Sequence, residues 1–246
     1  MTNDVYEIIE GSAKSRWLVT CEHASNHVPS AVHGGTLGLT PEDMQRHIAY
    51  DVGAEGVTRH LTNLLDAPAI LSRFSRLVID PNRGEDDPTL MMRVYDHTII
   101  PGNRHADAAE IEHRLNAYYR PYHSALAGLA QDNPDSVMLA IHSFTPRLNS
   151  RAPRPWHIGI LYASDDRLAR PLIKRLEQEP DLCVGDNQPY LGHLPGDAVD
   201  RHALQTGRPN ILIELRQDLI EDAEGQLEWA RRLAPILQDV LEQTGL

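Results

Sequence analysis

Apolar residues fall along the chain in two alternating rhythms: short continuous runs, and longer stretches spaced every three or four positions. Leu18-Val19-Thr20-Cys21 is a brief run that stops abruptly at Glu22-His23. Thr40-Pro41-Glu42-Asp43 has the composition of a helix start, with threonine at the cap, proline in the first turn and an acid three residues on. Met44, Ile48 and Val52, continued by Val57, Leu61, Leu64 and Leu65, predict one or two helices over 41–66. Strands are predicted at 69–71 and 77–79, the second closing in the turn composition Asp80-Pro81-Asn82-Arg83-Gly84. Ile111, Leu115, Tyr118, Tyr122, Leu126 and Leu129 then share one face of a long helix.

The second half continues the alternation. The unbroken run 137–141 ends at His142-Ser143 and fits a buried strand. Another, 157–162, leads into a helix capped by Ser164 or Asp165. Residues 183–184 form a weak strand signal and 211–215 a strong one, before a C-terminal helix over 223–243 that buries Leu227, Leu233, Ile236, Leu237, Val240 and Leu241. No repeat, low-complexity tract or linker interrupts the series, and the Pro- and Arg-rich segment 145–155 is the clearest loop. Alternation of this kind predicts one three-layer α/β/α domain over 1–246 with a mostly parallel sheet.

Composition narrows the function classes. The chain of 246 residues carries 23 Lys plus Arg against 35 Asp plus Glu, a formal charge of −12, with no basic stretch to attract a phosphate backbone. Nucleic acid is therefore not an expected partner. Two cysteines, Cys21 and Cys183, make neither a disulfide framework nor a zinc ribbon. The opening stretch through Trp17 lacks the apolar run of a signal peptide, and nothing approaches the roughly 18 apolar residues that span a bilayer, so a cytoplasmic protein without a membrane partner is expected. The 13 histidines are the first hint of metal or acid–base chemistry.

The informative feature is where polar residues stand. Three apolar runs lead straight into titratable residues: Val19-Thr20-Cys21 into Glu22-His23, Leu139-Ala140-Ile141 into His142, and Ile211-Leu212-Ile213 into Glu214. Ligands of open α/β sheets bind outside the carboxyl ends of the strands, so parallel strands bring His23, His142 and Glu214 to one edge. Two imidazoles plus a carboxylate free to act as base is the inventory of a catalytic zinc site. A structural histidine at a strand end is the plainer alternative for either imidazole, and an ion pair with Arg216 or another arginine for Glu214, whose burial is costly unless it is paired, liganding or facing a wet cleft. Arg76 and Arg83 flank the predicted strand 77–79 and end in an Asn82-Arg83 pair that suits a carboxylate; pairing with Asp80 or Asp86 at the surface is the alternative. Asp51, as an isolated aspartate between helical stretches, reads as a cap. His97 and His193 lie in loops that can approach the site, and most other histidines are expected to be solvated.

These residues also resemble a known family. Cys21-Glu22-His23-Ala24-Ser25-Asn26-His27-Val28-Pro29, then Asp51-Val52-Gly53-Ala54, then Ser75-Arg76-Leu77-Val78-Ile79-Asp80-Pro81-Asn82-Arg83 are similar, in order, to blocks of the N-formylglutamate amidohydrolase family, over about 17–220. The likeness extends to zinc carboxypeptidases, which implies their phosphorylase/hydrolase-like sheet. It further implies His23 and His142, the latter in Ile141-His142-Ser143-Phe144, as metal ligands. By the same likeness Asp80-Pro81-Asn82-Arg83 is the carboxylate-binding stretch, and Glu214 in Glu214-Leu215-Arg216 is the general base. One departure stands out. Carboxypeptidases carry a liganding Glu three residues after the first His, where this chain has Asn26. The third ligand is then Asp51, which supplies the missing anion, or else Glu22 or Asn26. Glu22 is expected to point elsewhere because neighbours on an extended chain alternate faces.

The resemblance implies a zinc-dependent amidohydrolase acting on a small N-acyl amino acid such as N-formyl-L-glutamate. Glu214 moves the proton of an attacking water whose pKa the metal lowers towards roughly 7. On the substrate side stand Arg83 and Asn82, with Arg76 and Asn26. A carboxypeptidase, a hydrolase of another acyl group, and a non-catalytic binding domain on the same scaffold are the competing readings.

Overall fold

In the structure, a computed structural model, residues 3–12 and 14–246 are described. Met1, Thr2 and Ala13, part of the opening stretch read above for a leader, lie outside them. The strands are β1 (Tyr6–Ile9), β2 (Trp17–Cys21), β3 (Ala69–Ser72), β4 (Val94–Tyr95), β5 (Thr98–Ile99), β6 (Val137–Phe144), β7 (Ile158–Leu161), β8 (Val184–Asp186) and β9 (Asn210–Arg216). Among the helices are α1 (Pro41–Met44), α2 (Ala54–Leu65), α3 (Ala108–Arg114), α4 (Arg120–Asp132), α5 (Ala169–Leu176), α6 (Ala198–His202) and α7 (Ala223–Thr244). Seven strands make one mixed sheet in the order β1-β3-β2-β6-β9-β7-β8, while β4 and β5 form a separate ribbon. β3, β2, β6 and β9 run parallel; β1 is antiparallel at one edge, and β7, with β8 alongside it, runs against β9.

Alternation of side chains across the pleat builds the layers. Val19 and Cys21 of β2, Leu139 and Ile141 of β6, and Ile211 and Ile213 of β9 pack with α2, α5 and α7 on one face. Leu18, Met138, Ala140 and Leu212 pack with Tyr122 and Leu126 of α4 and with α6 on the other. Each such fully buried side chain contributes about 1.5–3 kcal/mol of transfer free energy. No helix among the described residues is long and apolar enough to cross a membrane.

Several expectations are corrected. Residues 77–79 are not a strand: Arg76, Leu77 and Val78 form a turn, with Val78 N–H donating to Ser75 C=O at 2.8 Å, and Ile79 follows it in irregular chain. Leu77, Val78 and Ile79 are buried in a subsidiary core with Val32, Ile48 and Tyr119. A continuous apolar run reports burial on all sides, and here a loop-covered core supplies that burial without a ladder. The antiparallel edge strand β1 went unpredicted. The stretch 41–66 holds two helices, α1 and α2, within the one or two expected, and the long central helix widens into a π-helical turn at Leu115–Tyr119. α5 begins at Ala169, after a turn in which Asp165 accepts from the Arg167 N–H (3.3 Å), so neither Ser164 nor Asp165 caps it.

Candidate active site

The register explains how the site assembles. His142 and Glu214 are direct partners on β6 and β9, so their side chains emerge on the same face, that of Leu212 and Ala140. Thr20 pairs with Ala140, and two residues further on Glu22 falls beside His142. His23 lies one residue beyond, where the chain has left the sheet. Its carbonyl accepts from the Asp51 N–H at 2.9 Å. The following turn needs Gly53, whose φ of +79° suits glycine, and a Cβ there would lie 2.0 Å from the Ile220 carbonyl oxygen. Gly53, not Asp51, is the cap of α2. Asp51 is instead buried beneath the ends of β2 and β6, where its Oδ2 accepts from the Ser143 N–H at 3.2 Å.

His23, Asp51 and His142 form a buried cluster with one potential ligand atom each, all within 4.8 Å of one another. Both imidazoles turn the same way. His23 Nδ1 lies 3.3 Å and His142 Nδ1 2.8 Å from Asp51 Oδ2. The opposite ring nitrogens face other buried carboxylates: His23 Nε2 stands 2.6 Å from Asp80 Oδ1, and His142 Nε2 3.1 Å from Glu22 Oε2, in a contact off hydrogen-bond alignment. A metal-ligating histidine characteristically gives its other N–H to a carboxylate, which fixes the tautomer and the ring direction. Two imidazoles so oriented, with an aspartate oxygen between them, fit a divalent cation.

The charges follow from burial and pairing. Burial raises the Asp51 carboxyl, but the two histidines, His23 foremost, outweigh it and hold the group well below the usual range. Burial likewise opposes ionisation of Asp80, whereas Arg76 and His23 hold it ionised. Burial also disfavours the imidazolium of His142, yet the hydrogen bond to Asp51 and the adjacent Glu22 carboxylate lift its pKa well above normal. Metal uptake at His142 therefore competes with protonation of its ring. Glu214 behaves oppositely. Burial pushes its carboxyl up to about 8, and Oε2 has no hydrogen-bond partner. Arg216 pairs with Asp218, so the ion-pair alternative for Glu214 fails on that arginine.

A cavity of about 330 Å³ opens over these groups, lined by His23, Asp51, His142 and Glu214, with Asn82, Arg83 and Tyr190 among the other walls. Arg83 donates from Nε to Thr89 Oγ1 (3.0 Å) and from Nη1 to the Asn82 carbonyl (2.7 Å), and makes no ion pair among the described residues. Asn82 Oδ1 accepts from the Ala198 N–H at 3.2 Å, leaving Nδ2 as its available donor. Arg76 also lines the cavity, but its fork is committed: Nε and Nη2 donate to Asp80 Oδ2 (3.1 and 2.8 Å) and Nη1 to Asp51 Oδ1 (3.2 Å). The pairing with Asp80 is thus buried, not at the surface. Asn26 is away from the cavity lining and donates to the Met44 carbonyl at 2.8 Å.

Sequence reasoning missed three groups here. Asp80 and Glu22 buttress the imidazoles; the two-residue period from Thr20 places Glu22 on His142's face, which was the available signal. Alternation does turn Glu22 away from His23, but towards the back of His142. His47 lines the cavity with no sequence mark to single it out. His123 and His202 are buried against each other, Nδ1 to Nε2 2.9 Å, and are not solvated. His193 is exposed and pairs with Asp200. If the cluster holds a divalent cation, Asp80→Asn or Glu22→Gln is expected to weaken its affinity for added zinc by roughly 10- to 100-fold, as read by competition with a chromophoric chelator.

Comparison with known proteins supplies the class. Residues 15–221 match the N-formylglutamate amidohydrolase family. A gene product of Agrobacterium tumefaciens of solved structure is 34% identical, with 99% of this chain and 97% of that one aligned at a TM-score of 0.92. An N-formylglutamate amidohydrolase from Ralstonia eutropha JMP134 is 21% identical over 98% of both chains, TM-score 0.76. A bacteriophage poly-gamma-glutamate hydrolase shares the fold at 11% identity, 99% and 93% coverage and a TM-score of 0.50. No protein of curated function matches the chain in sequence. Sheet, buried histidine–aspartate cluster and family together define a hydrolase of the amidohydrolase type. The chain belongs to the N-formylglutamate amidohydrolase family.

Proposed function

We propose that this protein hydrolyses the N-formyl or N-acyl amide of an acidic amino acid, N-formyl-L-glutamate in particular, giving formate and glutamate, with zinc held by His23, Asp51 and His142. The observation that carries this reading is the convergence of both Nδ1 atoms on Asp51 Oδ2, with Asp80 and Glu22 behind the rings and Glu214 unpartnered across from His142. When bound, zinc supplies a Lewis acid that polarises the amide carbonyl and acidifies the attacking water.

The chain's own groups do the rest. With its carboxyl ionised, a state that the charge of a bound cation would favour over the metal-free pKa of about 8, Glu214 Oε2 takes a proton from the water and returns it to the leaving amine. Arg83 and Asn82, on the wall formed by the Asp80–Arg83 turn, hold the carboxylate of the amino-acid half. Arg76 acts indirectly, by keeping Asp80 ionised and holding both Asp51 and Asp80 in place. The net charge of −12 repels an anion at long range, so these local guanidinium groups must supply the attraction.

Metal analysis of the purified protein, combined with formate release from N-formyl-L-glutamate, tests the reading. About one zinc per chain and faster turnover than with N-acetyl-L-glutamate or a peptide ending in glutamate support it; absence of both metal and turnover overturns it. Arg83→Ala is expected to raise KM by roughly 10- to 100-fold, the loss of a charge-assisted hydrogen-bonded pair, with a smaller effect on kcat. An unchanged KM removes Arg83 from substrate binding.

A further inference from the structure

We infer that Arg154, on the loop between β6 and β7, binds the second carboxylate of a dicarboxylic substrate and so sets the preference for an acidic over a neutral amino-acid half. The inference rests on the function proposed above. A dianionic amino-acid portion needs two cationic contacts, and the cavity offers few. Arg76 is committed to Asp51 and Asp80. Arg83 can serve one carboxylate. His47 also lines the cavity, but burial lowers its pKa, and its Nε2 lies 3.4 Å from Asp96 Oδ2.

Arg154 remains. Its Nη1 donates to the Thr145 carbonyl (3.0 Å) and to the Tyr190 hydroxyl (3.1 Å), and its Cζ lies 5.7 Å from the Phe144 ring centroid and 4.9 Å from that of Tyr190. Phe144, Thr145 and Tyr190 all line the cavity. No carboxylate forms an ion pair with Arg154 among the described residues, and its Nε and Nη2 make no hydrogen bond. The half-buried Arg154 guanidinium thus keeps two donors, Nε and Nη2, that can meet a carboxylate side-on. The two ring contacts also restrain its plane, so little freedom remains to be lost when a carboxylate docks on the open side of the fork. Its charge already reaches the reacting centre, where it opposes the upward shift that burial imposes on Glu214.

The test compares the zinc-loaded wild-type enzyme with Arg154→Gln and Arg154→Lys on N-formyl-L-glutamate and N-formyl-L-glutamine, which differ only in the charge of the side-chain terminus. Calorimetric binding of the products L-glutamate and L-glutamine gives a second readout that needs no turnover, and thermal unfolding checks that the variants fold. Wild type is expected to favour the glutamate compound by roughly 10- to 100-fold in kcat/KM, mostly through KM. In Arg154→Gln that ratio collapses towards one, and Arg154→Lys, which keeps the charge and loses the fork, falls between. A preference that persists in Arg154→Gln, or a wild type with no preference, overturns the inference. Should wild type turn over neither compound, the proposed function fails, and product binding still decides the role of Arg154: tighter glutamate binding that Arg154→Gln abolishes supports it, and equal binding sinks it.

Discussion

Replacing Glu214 by glutamine is expected to lower kcat by about 10²- to 10⁴-fold while leaving zinc content unchanged, because the group removed is the proposed base and does not face Asp51 Oδ2 with the histidines. The same substitution should stabilise the metal-free protein at neutral and alkaline pH. Burial raises the folded-state pKa of Glu214 from 4.5 to about 8. A carboxyl raised on folding binds more protons folded than unfolded, so its contribution to stability is fully present below about 4.5 and is lost as pH rises through about 8. The loss is on the order of a few kcal/mol across that window. Chemical denaturation from pH 4 to 9 should therefore show wild type losing stability relative to Glu214→Gln as pH rises; parallel curves would mean that Glu214 ionises freely. Full activity in Glu214→Gln would end its assignment as base.

Asp51→Asn should damage both metal binding and folding, and the two effects can be read separately. Asp51 accepts from Arg76 Nη1 and the Ser143 N–H, and faces the Nδ1 atoms of both histidines. Losing its charge removes the anionic member of the proposed ligand set and leaves Arg76 buried with one carboxylate instead of two. Breaking a buried pair on one side costs about 3–5 kcal/mol, so the metal-free variant should unfold at clearly lower denaturant. Its zinc affinity should fall by more than the roughly 10- to 100-fold expected for Asp80→Asn or Glu22→Gln, since those residues act through a histidine. A variant that binds zinc like wild type would transfer the third-ligand role elsewhere.

The parts of this molecule that could be read in the sequence are those governed by period and position. The runs that became β2, β6 and β9 end in Glu22-His23, His142 and Glu214, and parallel pairing carries all three to one sheet edge. The helical spacing of α2 and α7 was equally plain. Residues 77–79 misled because an apolar run reports burial and not the partner that provides it; the covering layer comes from loops distant in sequence. The roles of Asp80 and Arg76 were hidden for a related reason. Both stand in a stretch matched to carboxylate binding, yet Asp80 turns back onto His23 and draws Arg76 with it, an outcome set by tertiary contact. The standing of Asn26 was likewise fixed by the loop that brings the Met44 carbonyl to its amide. Arg154 carried no local mark, since its aromatic neighbours lie on β6 and in the segment after β8.

The reversed course of β7 has a wider consequence. A parallel successor to β6 would require a crossover of a dozen or more residues spanning the whole sheet. Here the tether from Phe144 to Ile158 begins and ends at the same rim, so it carries no strand-ordering duty. It can be lengthened, shortened or recomposed without disturbing the pairing of His142 with Glu214. With the role inferred for Arg154, selection can therefore retune what the protein accepts by editing one hem of chain while the strands that pair His142 with Glu214 are inherited whole.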